Sequence, residues 1–431
     1  MRFAALGALL SNRNYAIYSA GNAISLIGTW LQAITFGWIA WEMTRSPFWL
    51  GVVAAAGLGP TLLAGLLGGV LADSLDRLRL TILTQVASFL VAMGLFVLYQ
   101  TDHLTIGLLI LFKALLATAT ALSQPARMAL VSQLVGVEMM GPAISFSSMT
   151  FNTARFVGPA LAGVLIATLG AGPAFLINAL TFLAMAGAIL MLRLPKGATR
   201  PVARGASSES MARQLGGGVT YVRDHAGALT LFLLLVAVVV TVRPVADFLP
   251  AIVSRVYGRG VEGVAILTSS LAAGSLLGGF WTAGRPLAGL TRSSLRACFL
   301  YVACIAAFIL TPNFWVGAAI LTAAGFFTAV FAISAQTLVQ ASVPDGARGR
   351  VMSLWFILTR GGPDLGALSI GLSAQLFGLH GAFLGGTALC LAVVVWAWGR
   401  AAGLAGELET AQPAHSARGS IPTAAAAPVE S

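Results

Sequence analysis

The chain has 431 residues, of which 58% are hydrophobic and only 9% are charged. Soluble proteins carry about 25% charged residues, so water alone cannot solvate a surface of this composition. The net charge of +11 does not indicate a nucleic-acid binder, because the basic residues are scattered singly instead of clustering on one face. Composition therefore excludes an ordinary soluble domain and predicts an integral membrane protein.

Apolar runs of about 20 residues, the length needed to cross a bilayer, recur along the chain. We predict twelve of them, of which the ninth is the shortest. In chain order they lie near 16–41, 48–71, 80–99, 105–124, 143–169, 173–192, 226–250, 264–283, 295–310, 314–340, 351–377 and 382–398. The first run is too long for the apolar core of a signal peptide, so we expect it to remain in the mature protein.

A polar stretch at 193–225 divides these runs six and six. It holds two prolines, several glycines and six basic residues, so we expect a cytoplasmic basic linker between an N-terminal half, 1–192, and a C-terminal half, 226–400. The remainder, 401–431, is rich in Ala, Pro, Ser and Glu and has no apolar period. We expect it to be a disordered cytoplasmic tail.

The two halves carry short similar motifs at matching positions. Gly158 and Gly163 align with Gly366 and Gly371 at one constant offset, and a Leu-Leu-Gly-Gly motif recurs at nearly the same offset. This pattern predicts an all-α integral membrane fold of twelve helices in two pseudo-symmetric six-helix bundles. A substrate site is then expected between the bundles, near the bilayer midplane.

The arginines outside the runs are distributed asymmetrically. If both termini are cytoplasmic, only Arg45, Arg255 and Arg259 fall on the opposite side, and all other loop arginines fall in the cytoplasm. Such asymmetry follows the positive-inside rule. The basic residues are therefore explained by the orientation of the protein, with both termini cytoplasmic. They do not indicate a nucleic-acid partner.

The loop after the second run reads Gly69-Val-Leu-Ala-Asp73-Ser-Leu-Asp76-Arg77-Leu-Arg79. This motif resembles the signature G-x-x-x-D-[RK]-x-x-[RK] of the major facilitator superfamily, although Ser74 departs from the usual basic residue. A small residue there permits close helix packing, and a carboxylate with arginines can bridge to a neighbouring helix end.

Further motifs are similar to the exporter branch of that superfamily typified by the enterobactin exporter, over 12–400. They are Thr44-Arg-Ser-Pro47, Pro125-Ala-Arg-Met-Ala-Leu-Val131, Gly158-Pro-Ala-Leu-Ala-Gly163 and Ser342-Val-Pro-Asp345 with Arg348-Gly-Arg350. The resemblance implies alternating-access export of a siderophore-like or drug-like compound across a bacterial inner membrane, by a protein that is not an enzyme. The loop motifs imply a set of gating residues: Gly69, Asp73, Asp76, Arg77, Arg127, Arg348 and Arg350.

Two charged pairs with i,i+4 spacing lie inside predicted runs: Arg243 with Asp247, and Arg360 with Asp364. Such pairs can neutralise each other on one helix face, so each is either a structural salt bridge or part of a coupling site. Asp364 lies about midway along its run and Asp247 nearer the outer end. We therefore predict Asp364 and Asp247 as proton-coupling residues.

The predicted midplane holds more cations than anions, because Lys113, Arg155 and Arg360 lie near the middle of runs where only Asp364 offers a carboxylate. A bound anion would supply the missing counter-charge. Alternatively, these side chains extend to water or bind backbone carbonyls. The residues predicted to line the substrate cavity are Lys113, Asn152, Arg155, Arg243, Arg360, Asn22 and Gln32.

Other classes of function lack their motifs. No H-E-x-x-H, G-x-S-x-G or G-x-x-x-x-G-K-[ST] is present, which disfavours a membrane-embedded enzyme and a nucleotide-driven pump. Cys298, Cys304 and Cys390 lie inside predicted runs without ligand spacing, so no metal or cofactor is expected. A non-transporting receptor would leave the midplane charges without a role. A major facilitator importer of a small nutrient stays open as the alternative, and we expect a monomer in the bilayer.

Overall fold

The computed structural model describes residues 2–136, 138–193 and 211–409. Across these ranges every regular element is helical, and eleven helices are long and apolar enough to cross a membrane. The longest of them, Asp345–Trp398, has 54 residues. An unbroken α-helix of that length would measure about 81 Å, whereas the hydrocarbon core of a bilayer is about 30 Å thick.

Gly378 divides this long helix. Its φ of 71° lies in the left-handed region, which glycine adopts without a steric penalty. Both ends of the long helix lie at one end of the bundle, because Arg350 contacts a helix at Met211–Asp224 and Glu407 contacts Gly227 immediately after it. The chain therefore reverses at Gly378, which gives twelve spans and confirms the predicted all-helical membrane fold.

Six spans form the N-terminal half, and a short helix at Arg2–Ser11 precedes them. Numbered 1 to 6, they are Arg13–Thr44, the interrupted pair Pro47–Ala55 and Leu58–Ser74, Arg77–Gln100, Ile106–Val135, Met140–Leu169 and Ala171–Leu190. Spans 7 to 12 form the C-terminal half. They are Ala226–Arg255, Val261–Thr282, Leu290–Leu310, Phe314–Ser342 and the segments 345–377 and 379–398. Within each half the spans pack chiefly on one another.

Several span boundaries differ by a few residues from the sequence prediction, and two of these differences have an identifiable cause. Span 4 does not end at 124, since the helix continues through Pro125 to Val135. Span 9 begins at Leu290 instead of 295, because Thr291 and Ser294 are buried and extend its helical face. The hydropathy of a window records only apolar length, so polar residues that face protein shorten the predicted span.

The linker and the tail both contain ordered helix where the sequence predicts none. Residues 211–224 of the predicted linker form the linker helix, Met211–Asp224, which packs on span 11; residues 194–210 lie outside the described residues. The first residues of the predicted disordered tail form the tail helix, Ala401–Leu408. Leu404 and Leu408 are only 5% and 1% exposed, so two apolar contacts order a segment that its composition alone would leave mobile. Residues 410–431 lie outside the described part of the chain.

The two halves meet tightly at one end of the bundle, which we call the closed end. There the first part of span 2 packs on span 11, where Gly51 lies against the backbone of Ala367 and Gly371. Arg45 donates a hydrogen bond to Ser254 Oγ at 3.2 Å and accepts one from Arg255 through its carbonyl oxygen at 2.7 Å. Both contacts join the N-terminal half to the C-terminal half.

Candidate functional site

Two cavities lie along the junction between the halves. The small cavity, of about 100 Å³, lies near the closed end and is lined from spans 1, 2, 4, 7 and 8. The large cavity, of about 350 Å³, is lined from spans 1, 3, 4, 5, 6 and 11. Along span 1 it extends from Thr29 to Tyr18, about 16 Å towards the end opposite the closed end. We call that opposite end the open end.

Span 7 brings an acid to the small cavity by changing its helix type. It passes from α-helix into a π turn at Val238–Val242 and then a 3-10 segment at Arg243–Phe248. Such departures from α-helix frequently mark functional sites, because they turn side chains to new directions. The side chain of Asp247 is exposed to this cavity although the residues around it, Val245 and Phe248, are buried.

The 3-10 geometry also separates Arg243 from Asp247. With 3.0 residues per turn, residues four apart lie about 120° apart around the axis, whereas in an α-helix they lie about 40° apart. The two side chains form no salt bridge, so the predicted i,i+4 pair is not made. Arg360 and Asp364 form none either, because Arg360 lines the large cavity while Asp364 interacts electrostatically with other partners.

The two acids instead share one neighbourhood with Lys113 of span 4. Lys113 attracts both Asp247 and Asp364, the two acids repel each other, and Arg243 attracts both of them. We call these four residues the charged cluster. It draws on spans 4, 7 and 11 and therefore crosses the junction between the halves. Lys113 and Asp247 line the small cavity, and neither lines the large one.

The large cavity has a basic and polar wall. Arg127 of span 4 donates a short hydrogen bond to Asn22 Oδ1, and Arg360 of span 11 lines the same space. The remaining polar lining is supplied by hydroxyl and amide groups: Tyr18, Ser25, Thr29, Thr84, Gln85, Ser88, Thr120, Ser123, Gln124 and Ser147. None of the described residues that line this cavity carries a carboxylate.

The other residues predicted for the substrate cavity lie away from the large one. Arg155 stacks on Trp30 with 5.6 Å from its guanidinium carbon to the ring centroid, near Arg243. Asn152 Nδ2 donates to the carbonyl of Ser148 on its own helix at 2.8 Å. Gln32 is buried, with no hydrogen-bond partner for Nε2. Of the predicted set, the structure therefore brings Asn22 and Arg360 together at the large cavity.

The predicted gating residues have separate local roles. Asp76 caps span 3 by accepting from the N–H groups of Leu78 and Arg79 at 2.9 and 3.0 Å. Arg77 Nε is buried without a hydrogen bond. For Gly69 and Asp73 the structure describes only the helical backbone, so their side chains lie outside the described residues.

The matching loop of the C-terminal half carries Arg348 and Arg350. Arg348 forms a 2.5 Å salt bridge with Asp345, which belongs to the same turn. Arg350 lies against Gly217 and Gly218 of the linker helix, where the absence of side chains allows the close approach. These two arginines thus interact within the C-terminal half and with the linker.

Sequence reasoning missed two features of the junction. The first is the place of Arg127, which the loop motifs assign to a gate; the helix of span 4 continues through Pro125 and carries Arg127 to the wall of the large cavity. The second feature is the closed-end clasp, formed by Trp41, Arg45, Ser254 and Arg255, in which both guanidinium groups stack on Trp41 at 5.9 and 4.8 Å. No spacing in the chain indicates that residues 45 and 255 meet.

Two six-span halves with polar cavities at their junction are the architecture of a secondary transporter. A family profile described as transmembrane secretion effector matches residues 5–415. The chain therefore belongs to the transmembrane secretion effector family of the major facilitator superfamily, which confirms the resemblance seen in its motifs. As a member of a transporter family it is a multi-pass membrane protein that binds small molecules, and it is not an enzyme.

Curated relatives match over most of their length. The chain is 25% identical to the staphyloferrin A transporter of Staphylococcus aureus (strain NCTC 8325 / PS 47), covering 88% of this chain and 94% of that protein. It is also 25% identical to the multidrug efflux pump Tap of Mycolicibacterium fortuitum, covering 85% of this chain and 88% of that protein.

Solved structures support the fold alone. A bacterial homologue of the human lysosomal transporter Spinster, in an inward-facing and occupied conformation, has a TM-score of 0.65 at 18% identity and covers 93% of this chain and 99% of that chain. The nucleoside transporter NupG, as a mutant, has a TM-score of 0.66 at 14% identity and covers 89% of this chain and 99% of that chain.

Proposed function

We propose that the protein is a proton-coupled exporter of small anionic or amphipathic molecules in a bacterial inner membrane. The observation that carries this proposal is the large cavity, in which Arg127 and Arg360 face one space from opposite halves without a carboxylate among the described lining. A guanidinium group cannot deprotonate, and it binds planar oxygen anions through two parallel hydrogen bonds. An anionic substrate therefore supplies the counter-charge.

The lining also suits a partly apolar substrate. Leu26, Met128, Phe151 and Phe182 lie among the polar groups of the large cavity. Ligand sites commonly combine apolar walls with a few placed polar groups that fix orientation. Two relatives are named a staphyloferrin A transporter and a multidrug efflux pump, and these names support a small-molecule substrate.

The proposed transport cycle uses the two ends in turn. With both termini in the cytoplasm, the open end faces the cytoplasm, and the large cavity takes up substrate from there. Arg127 belongs to the N-terminal half and Arg360 to the C-terminal half, so an anion held by both links the halves while they rock. Opening of the closed end then releases it outside.

Proton movement is assigned to the charged cluster, which lies apart from the large cavity. Asp247 and Asp364 share one electrostatic neighbourhood with Lys113 and Arg243, so protonation of one acid changes the charge that the other three groups face. A proton taken up from outside while the closed end is open, and released inside, would couple export to the pH gradient. We propose that the carrier works as a monomer.

Direction and substrate charge can be tested together in inverted vesicles with an imposed pH gradient. We expect accumulation of an aromatic carboxylate but not of its amide or its amine analogue. Arg127→Gln and Arg360→Gln should each lower carboxylate transport about 10-fold to 100-fold, the cost of losing a hydrogen bond to a charged group. Arg285→Gln is the matched control, since Arg285 is exposed and stacks on Trp281 outside both cavities.

Several outcomes would contradict the proposal. Transport restricted to the amine would exclude an anion site, and unchanged carboxylate transport in both arginine variants would exclude this cavity. Accumulation only in right-side-out vesicles would favour the importer of a small nutrient.

A further inference from the structure

Span 2 is interrupted about one third of the way along its length. Its first helix ends at Ala55 and its second begins at Leu58, with Ala56 and Gly57 between them. The N–H of Ala56 bonds to the carbonyl of Val53 at 3.4 Å, a tighter and weaker turn than an α-helix makes. A short 3-10-type stretch inside a helix often marks a hinge.

The two parts of span 2 are held by different halves of the protein. The first part, Pro47–Ala55, packs on span 11, where Gly51 meets the backbone of Ala367. The second part, Leu58–Ser74, packs on span 4, where Gly68 lies against the backbone at Ala121 and Leu122. The break therefore lies where the chain passes from one half to the other.

Lys113 binds the last helical turn before the break. Its Nζ donates a hydrogen bond to the carbonyl oxygen of Ala54 at 3.3 Å. Span 4 holds Lys113 in place, and the ring of Phe36 lies 6.0 Å from Nζ on the side of span 1. In an unbroken α-helix the carbonyl of Ala54 would accept from the N–H of Leu58, so Lys113 satisfies a group that the break exposes.

The charged groups that face Lys113 all come from the C-terminal half. Asp247 of span 7 and Asp364 of span 11 attract Lys113, and Arg243 of span 7 attracts both acids. The cavity lining from spans 1 and 2 contributes no charged side chain. Ala367, which anchors the first part of span 2, follows Asp364 by one helical turn. The ammonium of Lys113 thus bonds to the turn before the break and also lies in the electrostatic field of the two acids.

We propose that Lys113 is a positioning residue that transmits the charge state of Asp247 and Asp364 to a hinge at Ala56 and Gly57. Its ammonium bonds to the carbonyl of Ala54 and makes no salt bridge with Asp247 or Asp364, so the two acids act on it through their electrostatic field. When one acid becomes neutral, the pull towards spans 7 and 11 weakens, and Lys113 remains with the carbonyl in its own half. The hinge then moves away from span 11, and the closed end opens.

This inference deepens the proposed function and rests on the same two acids, but its test needs no proton gradient. Spin labels at Glu42→Cys and Pro312→Cys, both exposed and one in each half, would report the ratio of open to closed populations at the closed end. The native Cys298, Cys304 and Cys390 are first replaced by serine. Asp364→Asn replaces the carboxyl group by a neutral amide, so it mimics the protonated acid without a change of pH.

We expect Asp364→Asn to raise the open-to-closed ratio at least 5-fold when Lys113 is present and less than 2-fold when Lys113→Met is also present. Lys113→Arg, which keeps the charge and the donors, should restore most of the response. An equal response in the Lys113 and Lys113→Met chains overturns the proposal. Absence of any response to Asp364→Asn in the chain with Lys113 also overturns it.

A second variant keeps the proposal testable if Lys113→Met does not fold. Gly57→Ala adds a methyl group 3.3 Å from Ala117 Cβ at a φ of −84°, so it stiffens the hinge without left-handed strain. It should reduce the response to Asp364→Asn as Lys113→Met does, and a full response would overturn the hinge. If the proposed proton-coupled export is wrong, transport in vesicles should not depend on the pH gradient. That result is independent of the spin-label measurement, so the two failures can be told apart.

Discussion

The carboxylate of Glu409 accepts a hydrogen bond from the N–H of Gly289 at 2.7 Å, so the residue after the tail helix caps the start of span 9. The same carboxylate accepts from the N–H of Thr291 at 2.9 Å. Two residues earlier, Glu407 accepts from the N–H of Gly227 at the start of span 7 at 2.8 Å. The tail helix and the residue that follows it thus fasten two spans of the C-terminal half, through N–H groups that have no partner within their own helices.

Glu409→Ala should lower the stability of the protein by about 1 to 2 kcal/mol, the usual cost of losing a helix cap. The partial positive charge at the start of span 9 would lose its acidic partner as well. Thermal unfolding in detergent measures the change. Glu138→Ala is a suitable control, since Glu138 is an exposed carboxylate in a loop of the other half, and an equal loss in both variants would refute the capping role.

The stabilisation by Glu409 should also depend on pH. Burial alone would raise the pKa of Glu409, but the hydrogen bonds from Gly289 and Thr291 outweigh burial and lower its pKa below the ordinary 4.5. A depressed folded-state pKa means that the stabilisation is complete above pH 4.5 and is lost as pH falls through the folded value. The difference in Tm between wild type and Glu409→Ala should therefore shrink in acid, and a difference constant from pH 7 downward would contradict this.

Asp364→Asn should abolish accumulation driven by a pH gradient while sparing substrate exchange. The amide keeps the size of the side chain but cannot release a proton, so the reorientation of the loaded carrier survives and the coupled step does not. Counterflow of labelled substrate and gradient-driven uptake should be measured on the same vesicles. Asp102→Asn, at an exposed loop position, is the control, and pH-dependent accumulation that persists in Asp364→Asn would remove Asp364 from the coupling mechanism.

Arg255→Lys should open the closed end. Lysine keeps the charge but loses the planar group that stacks on Trp41 at 4.8 Å and bonds the carbonyl of Arg45. The loss of about 1 to 2 kcal/mol corresponds to a roughly fivefold to thirtyfold shift towards the open population. Labelling of Ile34→Cys, on the small cavity, by a membrane-impermeant thiol reagent in cells without the native cysteines would report the shift.

The control for this clasp lies at the same end. Arg259 stacks on Phe314 at 4.2 Å, but both residues belong to the C-terminal half. Arg259→Lys should therefore leave the labelling of Ile34→Cys unchanged. If it raises labelling as much as Arg255→Lys does, contact between the halves is not what holds the end closed.

Reporter fusions at Ser431 and within 194–210 should both read cytoplasmic. The reason is the placement of nearly all loop arginines on that side, which the positive-inside rule requires. A reporter fused after Arg45 should instead read periplasmic. A periplasmic reading at Ser431 or in the linker would reverse the topology and, with it, the direction assigned to the open end.

The sequence by itself determined the number of spans, their division into halves and the superfamily. Each of these follows from local or repeated features: an apolar run must be about as long as a bilayer is thick, and Gly378 already lay between two predicted runs. The same local patterns predicted Asn22, Arg360, Asp247 and Asp364 as polar groups inside spans, because such groups are costly when they face lipid.

Only the tertiary structure decided which of these groups meet. Spacing suggested that Arg360 pairs with Asp364, yet Arg360 shares the large cavity with Arg127, and Asp364 shares the charged cluster with Lys113. The 3-10 segment of span 7, the passage of span 4 through Pro125 and the order of the tail helix each depend on contacts between residues far apart in the chain. Hydropathy and helical period record the neighbours along one helix, whereas the direction of each side chain across the junction depends on the packing of the other spans.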